Sequence, residues 1–385
     1  MKINISNKVS IALASLAVTS FAFGASDLHS RVEQLEKQMS EVGTENAFGG
    51  YGAKTASARP TKDNNNWFIT ADVLYWKADV GGTEYAYTDN NPTLSYPVKG
   101  RTKDIDFGLD WGFRAGLGYN FCFDNWDLYA EYTNFHTGDS GSTSGGCNSS
   151  VQILRGGLCI PNSNLTPANT HLPVATRAKS QLDFEFDSID LTLGRNYFVS
   201  KMLSMRPFFG AKTAWLDLEQ TTRYCGGSEP DFTFCGANLR FLGPNTIRVK
   251  ETSDFWGLGP EMGVNTKWHL AKGFSFFADA VGALLYGFFD VDHSEKFSSN
   301  GDARIKLSGN VHKMVPTAQI RAGVAYDIFF DCDRQHFGIS FGFDGQYWWR
   351  TNQMLKIDDA APLKYERWSE DTSMHGATLD FRWDF

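Results

Sequence analysis

Asp290, Asp292 and His293 lie close together in the sequence and could together activate a water molecule. Carboxylate and imidazole groups are common general acids and bases in hydrolases. The sequence has no phosphate-binding loop or zinc-protease helix beside them. Solvated loop charges are the commoner explanation of such a group, so we expect a protein that is not an enzyme and keep hydrolysis as an alternative.

The six cysteines could support a second kind of chemistry, since thiols form disulfides and bind metals. Compact Cys/His spacing typical of a zinc site is missing, so neither a metal nor any other cofactor is expected. Disulfides are favoured if the chain is exported, because exported proteins meet oxidising compartments.

Residues 1–24 predict export. Lys2 and Lys8 flank a polar start, an apolar run covers residues 9–23, and small residues follow at 22–24, which is the order found in a signal peptide. Apolar residues at heptad spacing over residues 25–44 then predict a short, coiled-coil-like periplasmic helix, which either self-associates or lies on a surface. The Gly-, Ala-, Thr- and Asn-containing stretch 45–66 predicts a flexible linker.

The stretch IDFGLDWGFRAGLGYNF at 105–121 predicts a β-strand, because bulky and small or polar residues alternate with period two. Such alternation over so many residues is typical of a strand between lipid and a polar lumen. We expect the odd-numbered residues, among them Phe107, Trp111 and Phe113, to contact lipid.

From Trp67 onward the sequence contains ten alternating segments, at 67–78, 104–121, 126–136, 182–198, 204–218, 247–267, 273–290, 312–328, 336–350 and 373–385. Short connections around 122–125, 199–203, 268–272 and 329–335 alternate with long ones around 79–103, 137–181, 219–246, 291–311 and 351–372. Tight periplasmic turns and long external loops alternate in this way in outer-membrane barrels. The predicted fold class is therefore all-β, a transmembrane antiparallel β-barrel of about ten strands over residues 67–385.

Composition narrows the function classes. The 385-residue chain has a formal net charge of -8 and is 42% hydrophobic, which excludes a disordered chain and disfavours a nucleic-acid-binding protein. The mature chain has no apolar run long enough for a membrane-spanning helix. Expected partners are outer-membrane lipid, lipopolysaccharide and the barrel-assembly machinery, for which the terminal Phe385 is a candidate signal.

Charged residues on the predicted inner face could line a lumen, and acids outnumber bases among them. They either tune a narrow, mildly cation-preferring pore or pair with one another as a plug. Glycines on the same face favour some open space. The predicted lumen-lining residues are Asp72, Asp106, Asp110, Arg114, Glu131, Asp190, Lys212, Glu261, Asp279, Arg321, Asp344, Asp380 and Arg382.

Several segments resemble a known family. They are WFITADVLYWKAD at 67–79, WGFRAGLGYNF with DNWDLYAEYTNFHTG at 111–138, and FDSIDLTLGRNYFVSKMLSMRPFFGAKTAWL at 186–216. The chain resembles the pore-forming, major-outer-membrane-protein-like family of legionellae and chlamydia-related bacteria. The resemblance implies an outer-membrane porin for small hydrophilic solutes and ions, abundant enough to be a structural protein of the envelope. An adhesin acting through the long external loop at 137–181 is the alternative.

The predicted topology narrows the cysteine pairings. Cys147 and Cys159 share one external loop and Cys225 and Cys235 share another, so each pair could form a local disulfide. Cys122 and Cys332 lie at different periplasmic turns, too far apart to pair with each other. They either remain free or link to neighbouring envelope proteins or a second copy of the chain, and the resemblance favours linkage because chlamydial relatives form disulfide-linked envelopes.

Overall fold

A computed structural model describes residues 56–61, 65–89, 99–121, 124–145, 150–153, 174–225, 246–297, 304–358, 364–367 and 369–385. The predicted signal peptide, the heptad segment and part of the linker lie outside these ranges. Within the described ranges no helix is long and apolar enough to cross a membrane.

Ten long antiparallel strands form a closed barrel, as the sequence predicts. Each strand pairs with the next in the chain, and the last pairs with the first through thirteen residue pairs from Phe68↔Asp384 to Val80↔Thr372. In chain order the strands are β1 (Trp67–Val80), β2 (Asp110–Asn120), β3 (Trp126–Ser144), β4 (Arg177–Arg195), β5 (Leu203–Cys225), β6 (Thr246–Ala271), β7 (Phe274–Phe297), β8 (Arg304–Phe330), β9 (Gln335–Asn352) and β10 (Glu370–Asp384).

The outer surface has the layout of a membrane protein. Large apolar side chains such as Ile320 and Phe343 are 66% and 58% exposed, an arrangement that only lipid would stabilise over so wide an area. Exposed aromatic side chains flank them near both ends of the barrel. One girdle contains Trp67, Phe121, Phe274, Phe330 and Trp383, and the other contains Tyr75, Trp111, Trp215, Trp256, Phe288 and Trp349.

The alternation inverts beyond the second girdle. In the membrane part of β4, Asp190 is buried inside and Leu191 is exposed outside. Farther along the same strand, Phe184 and Phe186 are fully buried inside and Glu185 is exposed. The same change occurs in β5, β6 and β7, at 216–219, 254–255 and 289–292. Above the membrane the barrel is surrounded by water, so apolar residues turn inward there as they do in a soluble protein.

Strands therefore extend farther outward than predicted. β5, β6, β7 and β8 contain 23, 26, 24 and 27 residues, whereas about 9–11 residues suffice to cross a bilayer. Much of the predicted external connection 291–311 is consequently strand, since β7 ends at Phe297 and β8 begins at Arg304.

The opposite end of the barrel has tight turns, as predicted for the periplasmic side. Between β6 and β7 the turn consists of Lys272 and Gly273, with φ of 54° and 85°. Two consecutive residues with positive φ match a type I′ hairpin turn, for which glycine is favoured.

External connections fold over the barrel mouth. The segments Ala86–Asp89, Gly100–Lys103, Ser150–Ile153 and Val174–Ala175 form a small sheet, and Leu355–Asp358 pairs with Lys364–Arg367. Phe107 is 3% exposed and its ring lies 6.4 Å from that of Phe184. The prediction that Phe107 contacts lipid is therefore wrong, because β2 begins only at Asp110 and the preceding residues enter the barrel mouth.

Part of the predicted linker lies against the periplasmic end. The backbone N–H of Phe198 donates to the carbonyl of Ala56 at 2.9 Å, Ser57 pairs with Tyr197, and Thr61 is 1% exposed. This segment is thus held by the barrel rather than projecting from it.

Candidate functional site: the barrel lumen

A layer of charged side chains crosses the lumen at the depth of the membrane. Arg114 on β2 is at its centre and is 2% exposed. Its guanidinium lies 3.0 Å from Asp344, 3.4 Å from Asp72 and 3.2 Å from Glu131. Four strands are thereby connected across the lumen by one cation, and buried charges persist in this way only when they are paired.

Two further bases complete the layer. Arg321 on β8 lies 2.9 Å from Asp279 on the neighbouring β7 and 3.7 Å from Asp380 on β10. Lys212 on β5 lies 2.9 Å from Asp190 on β4. Carboxylates outnumber bases in this layer, so the layer is acidic.

An aromatic layer lies directly above the charges, on the external side. Trp76 and Trp348 are each 1% exposed, and Phe186 packs 5.4 Å from the ring of Trp348. The guanidinium of Arg114 lies 5.5 Å from the ring centroid of Trp76, and Lys212 Nζ lies 6.0 Å from that of Trp348. Cation–π contacts of this length join the two layers.

Inner-face glycines do not leave the open space that we predicted. A Cβ atom on Gly118 would come within 2.0 Å of the Phe68 ring, and one on Gly263 within 2.6 Å of Phe208. The space beside these glycines is filled by aromatic rings. Above the charged layer, the buried rings of Trp76, Trp348 and Phe186 fill the lumen.

A cavity of about 640 Å³ occupies the periplasmic half of the lumen, and we call it the vestibule. The charged layer forms its inner end, with Glu261 and Arg321 among the lining residues. Exposed residues of the periplasmic turns, Lys201, Lys272 and Asp333, line its outer end, together with residues 57–60. Among the described residues, the vestibule therefore extends to the periplasmic end of the barrel.

Most of the predicted lumen residues are brought together in this region. Buried or half-buried inside the barrel are Asp72, Asp110, Arg114, Glu131, Asp190, Lys212, Glu261, Asp279, Arg321, Asp344, Asp380 and Arg382. Asp110 is above the charged layer and accepts a hydrogen bond from Thr137. Asp106 is misassigned, since its side chain is 74% exposed and pairs with Lys77 at the surface. It precedes the first residue of β2, so the alternation no longer fixes its direction.

The described cysteines are Cys225 and Cys332, and both carry free thiols. Cys332 is exposed in the turn between β8 and β9, at a φ of 54°. Cys122, Cys147, Cys159 and Cys235 lie outside the described residues, so the predicted pairings stay predictions.

The group that first suggested hydrolysis is divided between the two faces of β7. Asp290 and Asp292 are exposed on the outer face, whereas His293 is buried inside. His293 Nε2 lies 2.7 Å from Glu295 and Nδ1 lies 3.3 Å from Glu251. Sequence analysis missed these two glutamates. Within the described ranges, no group of His, Cys, Asp and Glu side chains is arranged to hold a metal ion.

A closed antiparallel barrel with two aromatic girdles, an apolar exterior and charges inside defines an outer-membrane β-barrel protein. Residues 59–385 match the family described as Legionella pneumophila major outer membrane protein precursor, so the chain belongs to that family and is a protein of the outer membrane.

The solved structures that match the chain share little sequence with it. The outer-membrane protease OmpT of Escherichia coli shares 11% identity, with 84% of this chain and 98% of that chain covered and a TM-score of 0.39. The toluene transporter TodX of Pseudomonas putida shares 10% identity, with 86% and 96% covered and a TM-score of 0.25. No curated protein matches the chain in sequence.

Proposed function

We propose that the protein is an outer-membrane porin that passes small hydrophilic solutes and ions and has a closed resting state. The observation that carries this proposal is the acidic charged layer, continuous with a vestibule open to the periplasm. Ionisable residues are expensive at membrane depth and usually mark ion or solute pathways. Buried side chains block the pathway inside the barrel and the external connections cover its mouth, so rotamer changes together with movement of these connections can open it.

The charge balance supports a preference for cations. Glu131, Asp190 and Glu261 line the inner end of the vestibule, and Lys212 acts on Glu261 as a positive charge. Rings of carboxylates favour cations in aqueous pores.

Flux into liposomes tests the proposal. Vesicles containing the purified protein should swell in solutions of small sugars, and the rate should fall steeply with solute size because the pathway is narrow. Protein-free vesicles are the control. If swelling in both samples is the same for every solute, the porin proposal is wrong.

A structural surface protein without conductance is the second candidate, favoured by the fully packed aromatic layer. Its external connections could then serve adhesion. Catalysis is not part of either proposal, because His293 is 1% exposed and out of reach of a substrate. Peptide hydrolysis that is abolished by His293→Ala would contradict this exclusion.

A further inference from the structure

The inner end of the vestibule contains a carboxylate oxygen that lacks a partner. Glu261 on β6 lines the cavity and is 5% exposed. Its Oε2 atom has no hydrogen-bond partner among the described residues. Buried polar atoms in native proteins are nearly always partnered, so this atom has unused capacity to accept a hydrogen bond from a ligand.

The surrounding charges leave this wall of the vestibule negative. The bases that act on Glu261 are Lys212 and Arg206. Lys212 Nζ lies 2.9 Å from Asp190, and Arg206 Nε donates to Asp127 at 2.9 Å. Glu131 acts on Glu261 as a further negative charge and is itself paired with Arg114. One additional cation would balance the carboxylates here.

A second unsatisfied carboxylate oxygen lies on another strand. Asp380 on β10 accepts a hydrogen bond from Ser340 at 2.8 Å through Oδ2, whereas its Oδ1 has no hydrogen-bond partner in the described part of the chain. Asp380 also lines the vestibule. A second hydrogen-bond acceptor is therefore available outside the wall formed by Glu261, on a carboxylate whose other oxygen lies 3.7 Å from Arg321.

The chemistry of the lining specifies the kind of cation. An ammonium group offers several N–H donors to carboxylate oxygens, and charge-assisted hydrogen bonds of this type are strong. The rings of Phe208 and Phe277 also line the cavity and provide apolar surface for an alkyl chain. A cavity of about 640 Å³ is large enough for a small organic molecule.

We propose that the vestibule binds small primary alkylammonium ions from the periplasmic side, with the ammonium group donating to Glu261. This inference rests on the proposed porin function insofar as it names a solute class for the pathway. The binding site itself does not require the pathway to be open.

Binding of n-propylammonium to the purified full-length protein in detergent tests the inference, with ligand NMR as the readout. Tetramethylammonium has the charge without N–H donors, and n-propanol has the alkyl chain without the charge. Glu261→Gln removes the charge at constant shape, and Glu219→Gln makes the same change on the outer surface. Far-UV circular dichroism confirms that each variant is folded.

We expect n-propylammonium to bind more tightly than either analogue. Glu261→Gln should weaken its binding by about tenfold or more, and Glu219→Gln should leave it unchanged. Equal binding to wild type and Glu261→Gln overturns the inference, and so does equal competition by sodium ions, which would indicate a general monovalent-cation site. Binding without solute flux would refute only the porin function, whereas flux without binding would refute only this site.

Discussion

At the residue scale, Arg114 determines how the lumen is closed. It contacts carboxylates on β1, β3 and β9 and lies beneath the Trp76 ring. Alternation in the sequence predicted that Arg114 points inward. It could not predict the partners, because contacts across a lumen depend on the barrel's closure and strand register.

Arg114→Met should destabilise the barrel by about 3–5 kcal/mol, because Asp344 would remain buried without its cation and Asp72 would keep only the more distant Arg321, at 3.7 Å. Lys77→Met is the matched control, since Lys77 pairs with Asp106 at the exposed surface, and it should change stability little. Urea unfolding in detergent measures both variants. Similar unfolding midpoints for the two would contradict the central role of Arg114.

His293 should make stability depend on pH. Burial opposes its charged form, but hydrogen bonds to Glu251 and Glu295 outweigh burial and raise the pKa of His293 to about 9. The site lies beyond the outer girdle. Its stabilising contribution is complete below the unfolded pKa of about 6.5 and is lost as pH rises through the folded value.

Hydrogen exchange at the outer ends of β6 and β7 should therefore accelerate between about pH 7 and pH 10 beyond the intrinsic rate. His293→Gln should remove this additional dependence and should speed exchange most below about pH 7, where the wild-type imidazolium lies between Glu251 and Glu295. If exchange in His293→Gln still accelerates with pH beyond the intrinsic rate, a group other than His293 titrates.

At the element scale, inversion of the alternation explains what was predicted and what was missed. Membrane portions of the strands were recognisable because their apolar residues face lipid. The aromatic layer was missed because its residues occupy inward positions beyond the membrane. The segment LDFEF at 182–186 shows this pattern in the sequence. Its bulky residues are at even-numbered positions, as is the buried Asp190, so they point to the same inner face.

A row of carboxylates on the outer face is a second consequence of this inversion. Glu185, Asp217, Asp254 and Asp290 are directly paired across β4 to β7, just beyond the girdle. Partial burial and the neighbouring carboxylates of Asp217 and Asp290 raise the pKa of Asp254 above its usual value. The charged form of Asp254 therefore destabilises the folded barrel at neutral pH, and this penalty disappears as pH falls below the unfolded pKa.

Asp254→Asn should raise the melting temperature at neutral pH by an amount equivalent to about 0.5 kcal/mol or less, after solvent screening. The gain should shrink at acidic pH and at high salt, where the repulsion is already reduced. A melting temperature that falls at neutral pH would show that Asp254 makes a favourable contact instead.

At the scale of the whole molecule, the barrel combines a transmembrane part with a water-exposed extension. The strand count and the placement of short turns could be predicted from the sequence, because both depend on which residues face lipid and which face water. The inward folding of the external connections did not, since residues such as Tyr85 and Phe107 resemble any apolar loop residue until the barrel offers them a core.

Cys332 is exposed in a periplasmic turn, where it can reach other envelope proteins. We expect Cys332→Ser together with Cys122→Ser to remove high-mass species on non-reducing electrophoresis of cell envelopes. Cys225→Ser is the control, because Cys225 lies at the external end of β5. Unchanged high-mass species in the double variant would refute linkage through these cysteines.

The central claim is that the lumen is an acidic pathway closed by side chains. Single-channel recording in planar bilayers tests this claim most directly. Trp348→Ala removes a ring that is 1% exposed in the lumen, and Trp349→Ala removes one that is 38% exposed on the lipid side. We predict stepwise, cation-preferring currents for wild type, a larger open fraction for Trp348→Ala and wild-type behaviour for Trp349→Ala. Absence of current from both wild type and Trp348→Ala, or an anion preference, would contradict the account.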